Sequence, residues 1–146
     1  HLAETDSPLN LVGVARYEEL PREPGRTRSQ NLYTFFSRDG GRTWTEPART
    51  PVVGKPGHLL RLEDGRILLT YGHRLAPHGQ RACLSADGGR TWDLGHEIIL
   101  RDDAPSGDLG YPSTVRLPDG TFMTAYYQQE RAGEKTVLMA THWALV

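Results

Sequence analysis

An octapeptide with the pattern Ser-x-Asp-x-Gly-x-Thr-Trp occurs twice in this chain, first as Ser37–Trp44 and again as Ser85–Trp92. Five fixed positions that recur in so short a chain indicate an internal repeat of a supersecondary unit. Each copy is typical of a tight turn between two strands. The Asp can accept backbone N–H bonds across the turn, the glycines allow a positive φ, and the Trp ring packs beneath it.

A second repeat overlaps the first. Leu62–Tyr71 matches Leu117–Tyr126, and in both copies Asp-Gly stands between two short apolar runs. This is a strong hairpin signal. The two repeats together predict a unit of four strands, in which an Asp-Gly hairpin joins the first two strands and the octapeptide turn joins the last two. The separation of the copies in both repeats is typical of one blade of a β-propeller.

The predicted fold is therefore an all-β propeller of four-stranded antiparallel blades. The approximate blades cover residues 1–54, 55–108 and 109–146. The complete middle blade is expected to contain four strands: His58–Leu62, Arg66–Tyr71, Arg81–Ser85 and Glu97–Leu100. Closed propellers have about four to eight blades. We therefore expect these three blades to be the C-terminal half of a six-bladed protein, with further blades preceding His1.

Composition excludes several classes of partner. The chain has 17 Lys and Arg against 18 Asp and Glu, a formal charge of −1, so nothing favours a nucleic-acid or membrane surface. No apolar run is long enough to span a bilayer. Cys83 is the single cysteine and lies in an apolar segment, which favours a buried thiol. The histidines show no convincing metal-ligand spacing, and no cofactor is expected.

The octapeptide resembles the Asp box, or BNR repeat, of the sialidase (neuraminidase) superfamily. The resemblance covers essentially the whole chain and implies a retaining glycoside hydrolase that removes terminal sialic acid from glycoconjugates. It also implies a sialylated glycan as partner and a secreted or periplasmic location, although the sequence contains no signal-like segment. We expect this chain alone to be inactive, because the family's first arginine and its catalytic aspartate belong to earlier blades.

The resemblance also implies roles for individual residues. Members of the family use a tyrosine nucleophile that a neighbouring glutamate deprotonates. Tyr111 matches the nucleophile, because the run Gly110–Gly120 is similar to the family's nucleophile segment, although Pro112 stands where many members have Ser. Glu4 matches the glutamate, since it lies in the first strand of the preceding blade.

Three arginines grip the substrate carboxylate in this family, through fork-like hydrogen bonds. Arg81 resembles the third of them, shortly before the second Asp box, and Arg16 resembles the second. Arg74 competes with them for one of these two roles, and His58 is a candidate for lining the axial pocket. The Asp-box side chains are expected to be structural and to lie away from the axis: Ser37, Asp39, Gly41, Thr43, Trp44, Ser85, Asp87, Gly89, Thr91 and Trp92.

Two alternatives remain open from the sequence. The chain could belong to a non-catalytic Asp-box propeller that serves as a binding or interaction scaffold, since many propellers with this repeat do not act on sialosides. It could also belong to a glycosidase that uses paired carboxylates, with Glu4 and Asp108 as the candidates. For Asp108, a turn cap is the more ordinary interpretation.

Overall fold

The structure is a computed structural model that describes residues 1–16 and 30–145. Within those residues the secondary structure consists of eleven β-strands in three antiparallel sheets, which confirms the predicted all-β fold. Blade 1 contains β1 (Leu2–Glu4), β2 (Leu11–Arg16), β3 (Asn31–Ser37) and β4 (Ala48–Val53). Blade 2 contains β5 (Gly57–Arg61), β6 (Ile67–His73), β7 (Gly79–Ser85) and β8 (Asp93–Arg101). Blade 3 contains β9 (Gly110–Arg116), β10 (Phe122–Gln129) and β11 (Thr136–Trp143).

Each blade is a meander, in which every strand pairs with the next one in the chain. The connections therefore alternate between two ends of the sheets. We call one end the top face. It carries the β4–β5, β6–β7, β8–β9 and β10–β11 connections. The bottom face carries the hairpins and both Asp-box turns. The first strand of each blade is the innermost, and β5 contacts both β1 and β9.

Two apolar layers hold the blades together. The layer between blades 1 and 2 buries Val12, Leu32, Leu59 and Tyr71 among others. The layer between blades 2 and 3 combines side chains of both sheets and includes Phe122, whose ring stacks on Trp143 at 4.9 Å between centroids. Burial of this apolar area at about 25 cal/mol per Å² is the main force that joins the sheets.

The alternation of side chains explains why these segments form strands. Along β10 the residues Phe122, Thr124, Tyr126 and Gln128 are buried against blade 2, and the residues between them are more exposed. This period of two is that of a pleated strand with one face covered. In blade 2 the first predicted strand is displaced by one position, and the third and fourth strands begin earlier than predicted, at Gly79 and Asp93.

The Asp-box turns have the predicted geometry. Gly40, Gly41, Gly88 and Gly89 all have positive φ values between 71° and 90°. In the second turn the Asp87 carboxylate accepts hydrogen bonds from the Thr91 backbone N–H, at 2.8 Å, and from the Thr91 hydroxyl, at 2.6 Å. The two turns lie at the bottom face, between the third and fourth strands of their blades.

The two Asp-box tryptophans differ in their surroundings. Trp92 is almost fully buried and packs in the apolar layer against blade 1. Trp44 is 37% exposed and donates its indole N–H to the Gly41 carbonyl at 3.0 Å. The second Asp box therefore fixes its own turn and also contributes to the contact between neighbouring blades.

Candidate functional site

Side chains from two top-face connections and two strands meet between blades 2 and 3. We call Arg74, Asp108, Tyr111 and Tyr127 the top-face cluster. Arg74 follows β6, Asp108 precedes β9, Tyr111 is the second residue of β9, and Tyr127 lies near the end of β10. Because neighbouring strands run in opposite directions, the end of β6, the start of β9 and the end of β10 all lie at the top face. Residues far apart in the chain therefore meet there.

Tyr111 and Asp108 are the exposed members of the cluster, and 55% of the Tyr111 surface is accessible. Its φ of 52° makes it the one non-glycine residue with a positive φ in the described part of the chain. Such a conformation costs about 1 to 3 kcal/mol, and strained residues of this kind cluster at functional sites. Gly110 before it also has a positive φ, of 128°. Two consecutive residues of this kind turn the chain sharply as it enters β9.

The ring of Tyr111 lies beside the ring of Tyr127, with centroids 5.8 Å apart and an interplanar angle of 32°. Side by side, two tyrosine rings give an apolar surface with polar edges, the kind of surface that contacts a partly polar ligand.

Arg74 is held in place from two sides. Its Nε donates to the backbone carbonyl of Lys55 at 3.1 Å, and its Nη2 donates to the Tyr127 hydroxyl at 3.3 Å. The same hydroxyl donates to Asp108 Oδ1 at 3.1 Å. A Cβ atom added at Gly110 would stand 3.4 Å from Arg74 Nη2, an ordinary van der Waals contact, so the guanidinium lies close to the backbone that precedes Tyr111. The cluster thus combines a fixed cation, a phenol and a carboxylate.

The environment of Tyr127 favours its neutral form. Burial is the largest cause that raises the pKa of this phenol, and the hydrogen bond to Asp108 also raises it, whereas Arg74 acts in the opposite direction. Tyr127 therefore remains a hydrogen-bond donor near neutral pH. We interpret it as a residue that positions Arg74 and Asp108.

The loops around the cluster are tied to one another. The Ala104 N–H donates to the His78 carbonyl at 3.1 Å, which joins the β8–β9 and β6–β7 connections. The Ser106 hydroxyl donates to Gln129 Oε1 at 2.9 Å, and Gln129 Nε2 donates to the Glu134 carbonyl at 2.6 Å. These bonds give the top face defined loop geometry.

Arg81 has a partner within its own blade. It is only 8% exposed, and its Nη1 donates to Glu97 Oε2 at 2.9 Å. The Tyr71 hydroxyl donates to the other carboxylate oxygen of Glu97. Burial, followed by the bond to Glu97, raises the pKa of Tyr71 far above its ordinary value. The structure therefore places Arg81 in a buried ion pair between β7 and β8 and does not bring it to the top-face cluster.

Glu4 and Arg16 lie at opposite ends of blade 1. Glu4 is the last residue of β1 and pairs with Leu11, next to a bottom-face hairpin, so it is not brought together with Tyr111. The same separation applies to Glu4 and Asp108 as a carboxylate pair. Arg16 ends β2 at the top face, where it is exposed. Of the arginines predicted to bind a carboxylate, Arg74 is the one that contacts the surroundings of Tyr111.

The remaining candidates have ordinary chemistry. The Cys83 thiol is buried, and burial raises its pKa to about 12, so it stays protonated. Residues 1–16 and 30–145 contain no group of three or more His, Cys, Asp or Glu side chains that could hold a metal ion. The same residues form no helix with the length and apolar character of a membrane span.

Sequence reasoning missed part of the cluster. Tyr127 was not a candidate, and Asp108 was interpreted as a turn cap, whereas its carboxylate accepts the hydroxyl of Tyr127 from a different strand. One signal was available. Tyr127 falls on the less buried side of β10, next to the buried Tyr126. An aromatic residue on that side, at the top end of a strand, is the feature that could have made Tyr127 a candidate.

Comparison with known proteins identifies the family of this chain. Residues 8–124 match the model of the BNR repeat-like domain. Among curated proteins, no sequence matches the chain. Among solved structures, a protein of unknown function from Dyadobacter fermentans DSM 18053 has 30% sequence identity and a TM-score of 0.80, over 99% of this chain and 37% of the other.

Two further structures show the same fold at lower identity. A family PL25 polysaccharide lyase, an ulvan lyase, bound to -[GlcA(1-4)Rha3S]- has 15% identity and a TM-score of 0.58, over 86% of this chain and 31% of the lyase. A second PL25 ulvan lyase structure has 13% identity and a TM-score of 0.57, over the same shares of the two chains. The chain thus spans about a third of the length of the structures that it matches. It belongs to the BNR repeat-like domain family and forms part of a β-propeller.

Proposed function

We propose that this propeller binds a carboxylated glycan at its top face and that Tyr111 takes part in cleaving it. The observation that carries the proposal is the top-face cluster itself. An exposed tyrosine with a positive φ lies against a second tyrosine, and the hydroxyl of that second tyrosine is bonded to a fixed guanidinium and a carboxylate.

The chemistry of the cluster suits a sugar acid. The tyrosine rings offer an apolar surface to the C–H groups of a sugar, and Asp108 can accept a sugar hydroxyl. Arg74 uses one N–H on a carbonyl and one on a phenol. A guanidinium has five N–H donors, so three remain for a planar anion such as a carboxylate. Sialic acid and hexuronic acids both carry this group.

The reaction class is proposed from the sequence resemblance. In a sialidase-like retaining hydrolase, Tyr111 would attack the anomeric carbon and the leaving alcohol would depart with a proton from an acid. Water would then release the sugar from the tyrosine. Glu4 lies at the bottom face and the Glu97 carboxylate is bonded to Arg81 and Tyr71, so neither takes the phenol proton in this proposal, and the base would come from outside the described residues.

The test uses two carboxylated probes, 3′-sialyllactose and an oligosaccharide of -[GlcA(1-4)Rha3S]-, with lactose as a neutral control. Binding is measured by calorimetry, and the products are measured as free sialic acid or as an unsaturated uronate. Because we expect this chain alone to be inactive, the comparison uses the full-length protein with all its blades, as wild type and as Tyr111→Phe, Arg74→Met and Arg66→Met. The last variant removes a cation from an exposed bottom-face pair with Asp64 and serves as the control.

We expect one acidic probe to bind more tightly than lactose. Tyr111→Phe should keep the affinity and lower the turnover by at least about 100-fold. Arg74→Met should weaken binding by about 10-fold or more, because a charge-assisted hydrogen bond is lost. Arg66→Met should change neither. Wild-type turnover in folded Tyr111→Phe would contradict the catalytic role of Tyr111. Release of an unsaturated uronate would show that the reaction is an elimination and would contradict the hydrolytic mechanism.

A further inference from the structure

The inner strands of the blades have an edge without a neighbouring strand. β5 and β9 each pair on one side only, with β6 and β10. The backbone N–H groups on the opposite edge, toward the axis, are not part of any ladder. Buried N–H groups without an acceptor are costly, so such an edge needs acceptors from elsewhere.

Histidine side chains supply these acceptors at two successive junctions. His1 Nδ1 accepts the backbone N–H of Leu59 at 3.1 Å, and His58 Nδ1 accepts the backbone N–H of Thr114 at 3.4 Å. Leu59 and Thr114 occupy equivalent positions in their blades. Leu59 precedes the repeat copy that begins at Leu62 by the same number of residues as Thr114 precedes the copy that begins at Leu117. The same interaction thus connects blade 1 to blade 2 and blade 2 to blade 3. The two imidazole rings lie 4.0 Å apart.

This arrangement fixes the chemical state of His58. Burial is the main cause that lowers its pKa, so the ring is neutral near pH 7. A neutral imidazole that accepts at Nδ1 carries its proton on Nε2. Among residues 1–16 and 30–145, none accepts this Nε2–H within hydrogen-bond distance. His58 therefore keeps a donor of defined direction beside the axis.

The position of His58 relates it to the top-face cluster. Its ring contacts the backbone of Thr114, which lies three positions along β9 from Tyr111. Three residues of an extended strand span about 10 Å, which is longer than one sugar ring. A single sugar ring at Tyr111 would not cover that span, whereas a chain of two or three sugars would.

We propose that His58 is a specificity-determining residue, whose Nε2–H binds an oxygen atom of the saccharide unit next to the one held at Tyr111. The inference rests on the proposed function and adds a second subsite to it. The subsite selects oligosaccharides over single sugars, because only a longer ligand reaches both Tyr111 and His58.

Two substitutions separate the two nitrogen atoms of the ring. His58→Asn keeps an oxygen acceptor near the place of Nδ1 and removes the Nε2 donor. His58→Gln keeps an amide N–H near the place of Nε2 and removes the Nδ1 acceptor. If the inference is right, His58→Asn lowers the ligand affinity and keeps the stability, whereas His58→Gln lowers the stability and keeps the ligand affinity.

The experiment measures, by calorimetry, the affinity of each variant for the -[GlcA(1-4)Rha3S]- oligosaccharide and for free glucuronate, and for 3′-sialyllactose and free sialic acid. Melting temperatures are recorded in parallel. We expect His58→Asn to lower the affinity for the oligosaccharide that wild type binds by about 3- to 10-fold, the loss of one neutral hydrogen bond. The affinity for the single sugar should be unchanged.

His58→Gln should instead lower the melting temperature and keep the oligosaccharide affinity within about twofold of wild type. Unchanged oligosaccharide affinity in His58→Asn, together with weaker binding in Arg74→Met, would refute the subsite and leave the proposed function standing. Equal losses for the oligosaccharide and the single sugar would also refute it. Absence of binding to all four probes by wild type would overturn the proposed function and the subsite together.

Discussion

At the scale of single residues, the side chains that stabilise the Asp-box turns are separate from the side chains that we propose to bind ligand. The carboxylate of Asp87 belongs to the first group, since it accepts hydrogen bonds from Ser85, Arg90 and Thr91 in one turn. Arg74 and Tyr111 belong to the second group. The two groups lie at opposite faces, so they can be perturbed independently.

Removing the Asp87 carboxylate should destabilise the fold without affecting ligand binding. Asp87→Ala leaves the Thr91 N–H and neighbouring donors without their acceptor, and we expect a loss of about 1 to 3 kcal/mol in the free energy of unfolding. Urea titration measures this loss. Asp87→Asn is the matched variant and should recover part of it, since the amide oxygen still accepts. A loss of glycan affinity at an unchanged melting temperature would show that the turn has a binding role.

The neutral state of His58 predicts a pH dependence of stability. Because burial lowers its pKa below the ordinary 6.5, the unfolded state takes up the proton first as the pH falls. The stabilisation by the neutral ring is therefore complete above about pH 6.5 and is lost as the pH falls from there toward the folded-state pKa. The imidazole ring of His1 is the titratable group in contact with it.

Urea titrations at about pH 7.5 and about pH 5.5, on either side of the ordinary histidine pKa, test this expectation. His58→Asn is the reference because it keeps an acceptor but does not titrate. Wild type should lose more stability than the variant between the two values. Parallel losses in the two proteins would mean that the other histidines carry the effect.

At the scale of secondary structure elements, close backbone packing determines which positions tolerate a side chain. A Cβ atom at Gly79, the first residue of β7, would stand 1.9 Å from the Arg101 carbonyl oxygen on β8. A Cβ atom at Gly95, within β8, would meet its nearest neighbour at 3.5 Å. The two glycines therefore have different structural roles although both lie in the same blade.

Gly79→Ala should be strongly destabilising and Gly95→Ala close to neutral. The first substitution forces two backbones apart, and overpacking typically costs about 1 to 3 kcal/mol and sometimes more. Melting temperatures of the two variants provide the comparison. If Gly79→Ala melts at the wild-type temperature, β7 and β8 are not packed as closely as the structure describes.

The elements were largely predictable because repeated turn motifs and alternating apolar residues act locally. The Asp-Gly hairpins place β5 beside β6 and β9 beside β10, and the Asp boxes define where β3 and β7 end. The site was less predictable. Arg81 was a reasonable carboxylate ligand by its position, but Glu97 on the neighbouring strand binds it. Partners of this kind depend on strand register, which single-sequence patterns do not fix.

At the scale of the whole molecule, the chain is part of a propeller in which one face carries the top-face cluster, the proposed binding site, and the other carries the repeated turns. The chain covers 37% and 31% of the structures that it matches, so further blades would complete the surface around Tyr111. A ring of six blades remains a prediction. The central claim is that ligand binds at the top face and not at the Asp-box turns, because the proposed function and the His58 subsite depend on it.

One measurement tests that claim directly, namely a titration of the ¹⁵N-labelled protein with 3′-sialyllactose or the -[GlcA(1-4)Rha3S]- oligosaccharide, followed by amide NMR spectra. The account predicts that the largest shifts occur at the backbone amides of Gly110 and Tyr111 and at the Arg74 side-chain Nε, with those of Thr43 and Thr91 unchanged. Lactose should produce no comparable shifts. Shifts concentrated at the Asp-box turns, or equal shifts with lactose, would contradict the account.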